Sequence, residues 1–216
     1  MKIKKIICGP IFTNSYVLYD DLQHNCVIFD PADGTPIADF VEEKKLRIES
    51  IILTHGHFDH ISGIPHIIKK YGSIPVYIHK EDIECLFSPE LNGSLDTGED
   101  TNIEIPSKIV HTVEEKLSID NFNFNIYNFP GHTPGSIVIE TNSTLFTGDF
   151  LFKETIGITN ITRGSYIDMR NSLIKFREIY EKSTINYIIL PGHTDSTDLY
   201  SELNNNTFLV RINKNH

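Results

Sequence analysis

The chain is poor in cysteine and has no long apolar run. Its three cysteines, Cys8, Cys26 and Cys85, are odd in number and widely spaced, so they provide neither a disulfide framework nor a CxxC site. No apolar run approaches the roughly 18 residues of a membrane span. The apolar pair Ile6 and Ile7 is too short for the core of a signal peptide. We therefore expect a cytoplasmic protein that neither spans nor binds a membrane.

A basic stripe is also missing. The chain has 19 Lys and Arg against 29 Asp and Glu, a formal net charge of -10, which argues against nucleic acid as a partner. Its 216 residues are 39% hydrophobic and 22% charged, as in an ordinary globular protein. No linker or literal repeat interrupts them. We expect a single domain over residues 1–216, built from two similar halves with a boundary near residues 100–110. The oligomeric state stays open.

The hydrophobic patterns predict an α/β protein. Alternating or apolar segments predict strands at 2–8, 15–19, 26–29, 51–54, 75–79, 122–129, 136–140, 143–147 and 187–190. Helical spacing predicts helices at 37–45, 62–71, 80–86 and 168–180. Strands precede helices in each half without strict alternation. That order favours two sheets packed on each other, with helices outside, over one doubly wound sheet.

One run of six residues, 55–60, carries three imidazoles and one carboxylate. Strand alternation is expected to turn His55 and His57 to one side, while Asp59 and His60 follow as the chain enters a helix. The run comes directly after a predicted buried strand, where α/β folds place ligands. Imidazole and carboxylate without thiolate suit zinc, iron or manganese. The run therefore predicts a metal site.

Three later residues repeat this pattern. His132, Asp149 and His193 each follow a predicted strand and a glycine that lets the backbone turn sharply. Each alone is a weak signal, since such residues often only cap strands. Together with the run at 55–60 they supply five histidines and two aspartates, enough for two metal ions that each keep an open position.

The order of these motifs resembles that of the metallo-β-lactamase superfamily. The matching segments are THGHFDH at 54–60, PGHTPGS at 130–136, LFTGD at 145–149 and PGH at 191–193. The resemblance implies a four-layer αββα sandwich with a dinuclear site at one edge. It further implies that one metal is held by His55, His57 and His132, that a second is held by Asp59, His60 and His193, and that Asp149 bridges them. Asp30 would then hydrogen-bond a ligand imidazole.

Within that superfamily, the segment GDFLF at 148–152 and the ending after His193 resemble the glyoxalase II-like branch, in its short single-domain form. There is one departure. Related chains carry a basic residue where this one has Ile158, which puts glutathione in doubt as the carrier thiol. Lys153 and Arg163 lie nearby in sequence and are the candidate substitutes. Tyr166 is a candidate for the mouth of the site.

We expect a hydrolase in which a hydroxide bridged by two divalent ions, zinc first and iron or manganese as alternatives, attacks a thioester such as a hydroxyacyl-thiol. Asp59 would orient the hydroxide, and the ions would leave a positive pit that attracts an anionic small molecule. Two alternatives stay open. The same motifs occur in mononuclear iron persulfide dioxygenases, and in hydrolases of lactones or other esters.

Overall fold

The computed structural model describes residues 1–98, 103 and 105–212. Its first sheet has six strands that lie side by side in chain order. The first two strand pairs are antiparallel and the last three are parallel. The strands are β1 (Lys2–Cys8), β2 (Thr13–Asp20), β3 (Asn25–Phe29), β4 (Arg47–Ile52), β5 (Val76–Ile78) and β6 (Val110–Thr112).

The second sheet also has six strands, and a separate two-stranded hairpin follows its fourth strand. The sheet contains β7 (Lys116–Ile119), β8 (Phe122–Asn128), β9 (Ile137–Thr141) and β10 (Thr144–Gly148). The hairpin contains β11 (Leu151–Phe152) and β12 (Thr155–Ile156). The sheet is completed by β13 (Ile188–Pro191), parallel to β10, and by β14 (Thr197–Asp198) at its edge.

Helices cover the outer face of each sheet. The α-helices are α1 (Gly34–Lys44), α2 (Phe58–Ile61), α3 (Ile64–Tyr71), α4 (Tyr166–Tyr180), α5 (Leu199–Asn205) and α6 (Thr207–Ile212). Short 3-10 helices occupy Lys80–Phe87, Leu95–Thr97 and Ser107–Ile109. Within the described ranges, no helix combines the length and apolar character needed to cross a membrane.

Three apolar cores separate four layers. Between the sheets, Phe29 of β3 stacks on Phe146 of β10 with ring centroids 4.1 Å apart. Side chains of α1 and α3 pack on the outer face of the first sheet. Those of α4, α5 and α6 pack on the outer face of the second. This confirms the predicted αββα sandwich, in which each sheet buries one face against helices and the other against its partner.

The structure corrects the predicted chain path around the run at 55–60. Strand β4 ends at Ile52, so His55 and His57 lie in a loop, and strand alternation does not orient them. The helix predicted at 62–71 begins two residues later, at Ile64, and the separate short helix α2 lies before it. The two helices are separate because the backbone N–H of Gly63 donates to the carbonyl of Pro31 (2.7 Å), where there is no room for a side chain.

The two sheets follow one another along the chain. The chain leaves the first sheet at Thr112 and enters the second at Lys116, a few residues beyond the predicted boundary near 100–110. Residues 99–102 and 104, part of that predicted boundary, lie outside the described residues. All three cysteines are buried and unpaired. The cytoplasmic location stays a prediction.

Candidate metal centre

The seven predicted ligand residues meet at one edge of the sandwich. His55 and His57 lie in the loop after β4, and Asp59 and His60 lie in α2. The remaining three lie just after strands of the second sheet: His132 after β8, Asp149 after β10 and His193 after β13. The carboxyl ends of four strands therefore deliver every one of these side chains to the same place, with both sheets contributing.

Three imidazole nitrogens converge on one point. His57 Nδ1 lies 3.1 Å from His55 Nε2 and 2.8 Å from His132 Nε2. A single nitrogen cannot share a proton with two others at once. The geometry instead fits three lone pairs directed at a common cation.

A second group, formed by Asp59, His60 and His193, lies beside the first. Asp59 Oδ2 is 3.3 Å from His60 Nε2 and 3.2 Å from His193 Nε2. Asp149 lies between the groups, because its Oδ2 is 3.4 Å from His132 Nε2 and 3.5 Å from His193 Nε2. Its Oδ1 is 3.4 Å from His60 Nε2. The carboxylate of Asp149 thus reaches both groups of three.

Hydrogen bonds on the far side of two rings leave the converging nitrogens without protons. The Nδ1 atom of His132 lies 2.8 Å from the carbonyl oxygen of Ile158, which can only accept, so Nδ1 carries the proton. The Nδ1 atom of His55 lies 3.1 Å from Thr54 Oγ1, whose own proton goes to Asp30. Each ring therefore turns a bare Nε2 toward the centre, as a metal ligand does.

Burial keeps the imidazoles of His55 and His57 neutral. It lowers the pKa of His55 well below its usual range and that of His57 to about 3, and neighbouring imidazoles lower both further. Neutral imidazole is the form that binds a metal. The donor set, nitrogen and carboxylate oxygen without sulfur, fits zinc, iron or manganese.

The two candidate carboxylate ligands, Asp59 and Asp149, are charged. Burial raises the pKa of Asp59 and of Asp149, but His60 and other nearby imidazoles outweigh burial and hold both below the usual range. Conversely, burial lowers the pKa of His60, but the carboxylates, those of Asp59 and Asp149 first, raise it well above its usual range. Both ring nitrogens of His60 and Asp149 Oδ1 are buried without a hydrogen bond of regular geometry. The group therefore requires positive charge, which a divalent ion supplies.

Asp30 joins the loop after β3 to the ligand loop. It accepts hydrogen bonds from the backbone N–H and the hydroxyl of Thr54, both at 2.7 Å. Its Oδ2 also lies 3.0 Å from His60 Nδ1. Asp30 therefore lies where it favours a proton on the outer nitrogen of His60 and leaves Nε2 for the centre.

The sequence did not point to a second buried carboxylate, Asp82. It accepts from the backbone N–H of Gly56 (3.0 Å), the hydroxyl of Thr133 (2.6 Å) and the backbone N–H of Gly135 (3.0 Å). These partners flank His57 on one loop and His132 on the other. An aspartate near the start of a short helix gives no sequence signal for such a role, because it resembles an ordinary surface charge.

A cavity of about 420 Å³ opens over the cluster. Its floor includes five of the seven candidate ligands, His57, Asp59, His132, Asp149 and His193. The predicted substrate contacts Lys153, Arg163 and Tyr166 are not among the residues that line it.

Each of the three points elsewhere for a structural reason. Lys153 is exposed on the turn between β11 and β12, beside Glu154. Arg163 turns back to donate to the carbonyl of Glu81 and lies 3.7 Å from Asp82. Tyr166 is exposed at the start of α4, next to α6 rather than the cluster.

A profile of the Metallo-beta-lactamase superfamily matches residues 8–193. The chain belongs to this superfamily. It is similar along nearly its whole length to the probable metallo-hydrolase YqgX of Bacillus subtilis, with 34% identity over 97% of this chain and 98% of that protein. Hydroxyacylglutathione hydrolase GloC of Haemophilus influenzae is 31% identical over 97% of this chain and 98% of its own length.

A solved structure agrees with these relatives. The crystal structure of the B3 metallo-beta-lactamase BLEG-1 matches with a TM-score of 0.88 and 35% identity, covering 96% of this chain and 99% of that one. The superfamily binds divalent metals and makes this chain a metal-dependent hydrolase. The named relatives support a glyoxalase II-like member.

Proposed function

We propose that the chain holds two divalent metal ions and hydrolyses a thioester such as a hydroxyacyl-thiol. His55, His57 and His132 would hold the first ion. Asp59, His60 and His193 would hold the second, and Asp149 would bridge the two. The observation that carries this proposal is the position of Asp149 between two separate groups of three ligand atoms. Zinc suits these donors best, with iron or manganese as alternatives.

When bound, such ions would lower the pKa of a water molecule and polarise a substrate carbonyl. The protein orients the reacting groups. The hydroxyl of Thr13 donates to Asp59 Oδ2 at 2.7 Å and fixes the carboxylate that we propose to orient the attacking water. The oxygen of water adds to the acyl carbon and the carbon–sulfur bond breaks, which yields an acid and a free thiol.

A thioester suits this site because a thiolate is a good leaving group and needs little proton donation. A relative, GloC, supports this choice, since its name specifies an acylated thiol as the substrate. We further propose that residues 1–216 act as one domain on a small molecule in the cytoplasm.

The test is thiol release by purified protein loaded with zinc, iron or manganese, measured on a panel of thioesters, lactones and a chromogenic cephalosporin. We expect thiol release, and its loss in His132→Ala and Asp149→Asn. The cephalosporin is included because BLEG-1 is a B3 metallo-beta-lactamase. Lactone or cephalosporin turnover without thioester turnover would replace the proposed substrate. Oxygen uptake with a thiol persulfide by the iron-loaded protein would indicate the dioxygenase alternative.

A further inference from the structure

The cavity above the cluster has apolar walls. Beyond the candidate ligands, its large lining side chains are Ile11, Phe58, Phe152, Ile158 and Ile161. Ile11 and Ile158 are also exposed, so the apolar surface continues to the mouth. Lysine and arginine do not occur among the described residues that line it. A substrate bound at the cluster must lay its distal part against this surface.

One carboxylate lies on this wall. Asp96, in the 3-10 helix Leu95–Thr97, is the one ionisable lining group besides the candidate ligands within the described part of the chain. Its Oδ2 accepts a hydrogen bond from Thr162 Oγ1 at 3.1 Å, which connects the 88–98 loop to the segment that contains Thr162. That loop is tied to the cluster by the backbone hydrogen bond from Phe58 N to Asn92 O (3.0 Å). Asp96 therefore lies at the exposed rim of the cavity, where this hydrogen bond connects it to Thr162.

The neighbouring cations do not offset this charge. Arg163 follows Thr162 in the chain, but its guanidinium lies against the Glu81 carbonyl and the buried Asp82. Lys153 points away from the cavity. A carboxylate on the distal part of a substrate would thus lose water against isoleucine and phenylalanine and approach Asp96. Both effects are unfavourable.

We infer that this site takes thioesters whose thiol portion is apolar and neutral or cationic, and that Asp96 and Ile158 discriminate against carboxylate-bearing thiols. The inference rests on the proposed function. The sequence predicted an anionic substrate, because two metal ions would make the site positive. That positive charge would attract the acyl group, whereas the cavity wall contacts the thiol portion and disfavours a carboxylate there.

The test compares three thioesters of one 2-hydroxyacyl group that differ in carrier charge: thiocholine (cationic), N-acetylcysteamine (neutral) and N-acetylcysteine (anionic). We expect kcat/KM for the neutral carrier to exceed that for the anionic one by at least about tenfold. The cationic carrier should equal or exceed the neutral one. Non-hydrolysable thioether analogues, titrated by calorimetry into metal-free and metal-loaded protein, should show the same order of affinity.

Two variants test whether Asp96 and Ile158 cause the preference for a neutral over an anionic carrier. Asp96→Asn should lower the ratio of kcat/KM for the neutral carrier to kcat/KM for the anionic carrier by about fivefold. Ile158→Lys should lower this ratio further. Asp39→Asn is the matched control, because it makes the same charge change at an exposed position on α1 and should leave the ratio unchanged. Hydrolysis with the anionic carrier preferred, or equal ratios in all variants, would overturn the inference and leave the proposed function standing. Absence of any hydrolysis would instead overturn the proposed function, and the calorimetric order would still decide the inference.

Discussion

At the scale of single residues, two buried carboxylates hold the ligand loops. Asp30 binds Thr54 and lies beside His60, and Asp82 binds the backbone next to His57 and His132. Neither offers a ligand atom to the two groups of three. Both satisfy backbone or hydroxyl donors that would otherwise be buried without a partner, and in doing so they fix where the imidazoles point.

We expect Asp82→Asn to weaken binding of the first metal ion by about 10- to 100-fold. The backbone N–H groups of Gly56 and Gly135 donate to different oxygens of Asp82, so one of them would face the NH2 group of the amide. The measurement is a competition titration against a chelator, together with the visible spectrum of the cobalt-loaded protein, which reports ligand geometry.

Glu202→Gln is the matched control for this variant. Glu202 is also a buried carboxylate that accepts three hydrogen bonds, from Thr197, Asn206 and the backbone of Glu154, and it does not line the cavity. It should lose stability without a change in metal affinity or spectrum. Equal effects of the two variants on metal binding would show that Asp82 acts only through stability.

The motifs predicted the grouping of the ligands and one of the residues that support them, Asp30, but not the other, Asp82. His132, Asp149 and His193 follow strands and glycines, which is a local pattern that a sequence displays. Asp82 lies far along the chain from Thr133, and only the packing of the two sheets brings them together. The placement of Arg163 against Asp82 is likewise a tertiary contact, which the sequence does not display.

At the scale of elements, the site depends on how closely β10 approaches the loop after β4. Gly148 ends β10 with a φ of 49°, and a Cβ atom there would lie 2.6 Å from Thr54 Cβ. Thr54 is the residue that Asp30 holds. A side chain at 148 would therefore push Asp149 away from His55 and its neighbours.

We expect Gly148→Ala to destabilise the fold by more than about 2 kcal/mol and to weaken metal binding, because it combines a left-handed backbone with an overlap. Gly72→Ala is the control, since Gly72 has a φ of 87° and open space around it. It should cost about 1–3 kcal/mol from backbone strain alone and leave metal affinity unchanged. Urea denaturation and metal titration measure both, and equal metal affinities in the two variants would contradict the role of close packing at Gly148.

Long periodic elements were predictable and short ones were not. The predicted strands at 2–8 and 122–129 and the predicted helix at 168–180 lie within a residue or two of the observed elements. Strands β11, β12 and β14 have two residues each and show no periodicity. Helix α1 begins at Gly34, earlier than predicted, because the Asp33 side chain accepts a hydrogen bond from Thr35 N and caps it.

At the scale of the whole molecule, the candidate centre joins the two sheets. The segment after β4 of the first sheet supplies His55, His57, Asp59 and His60. Segments after strands of the second sheet supply His132, Asp149 and His193. A metal ion bound there holds the sheets together, and its removal leaves buried carboxylates without a counter-charge. Metal binding and the stability of the sandwich are therefore linked.

We expect chelation to lower Tm by about 10 °C, the shift that binding at about a thousandfold above Kd gives a protein of this size. Differential scanning calorimetry of metal-loaded and chelator-treated protein measures it. The His132→Ala variant should show a smaller shift, because it binds less metal before chelation. An unchanged Tm in the unaltered chain would mean that the sandwich is stable without metal.

The proposed function depends on two metal ions per chain, and the metal content of the purified protein measures that number. The protein is loaded with zinc, iron or manganese in separate samples, freed of excess ion by gel filtration and measured by elemental analysis against protein concentration. We expect two ions per chain, and about one in each of His132→Ala and His193→Ala. A single ion per chain in every loaded sample of the unaltered protein would contradict the two-metal centre and favour the mononuclear iron alternative.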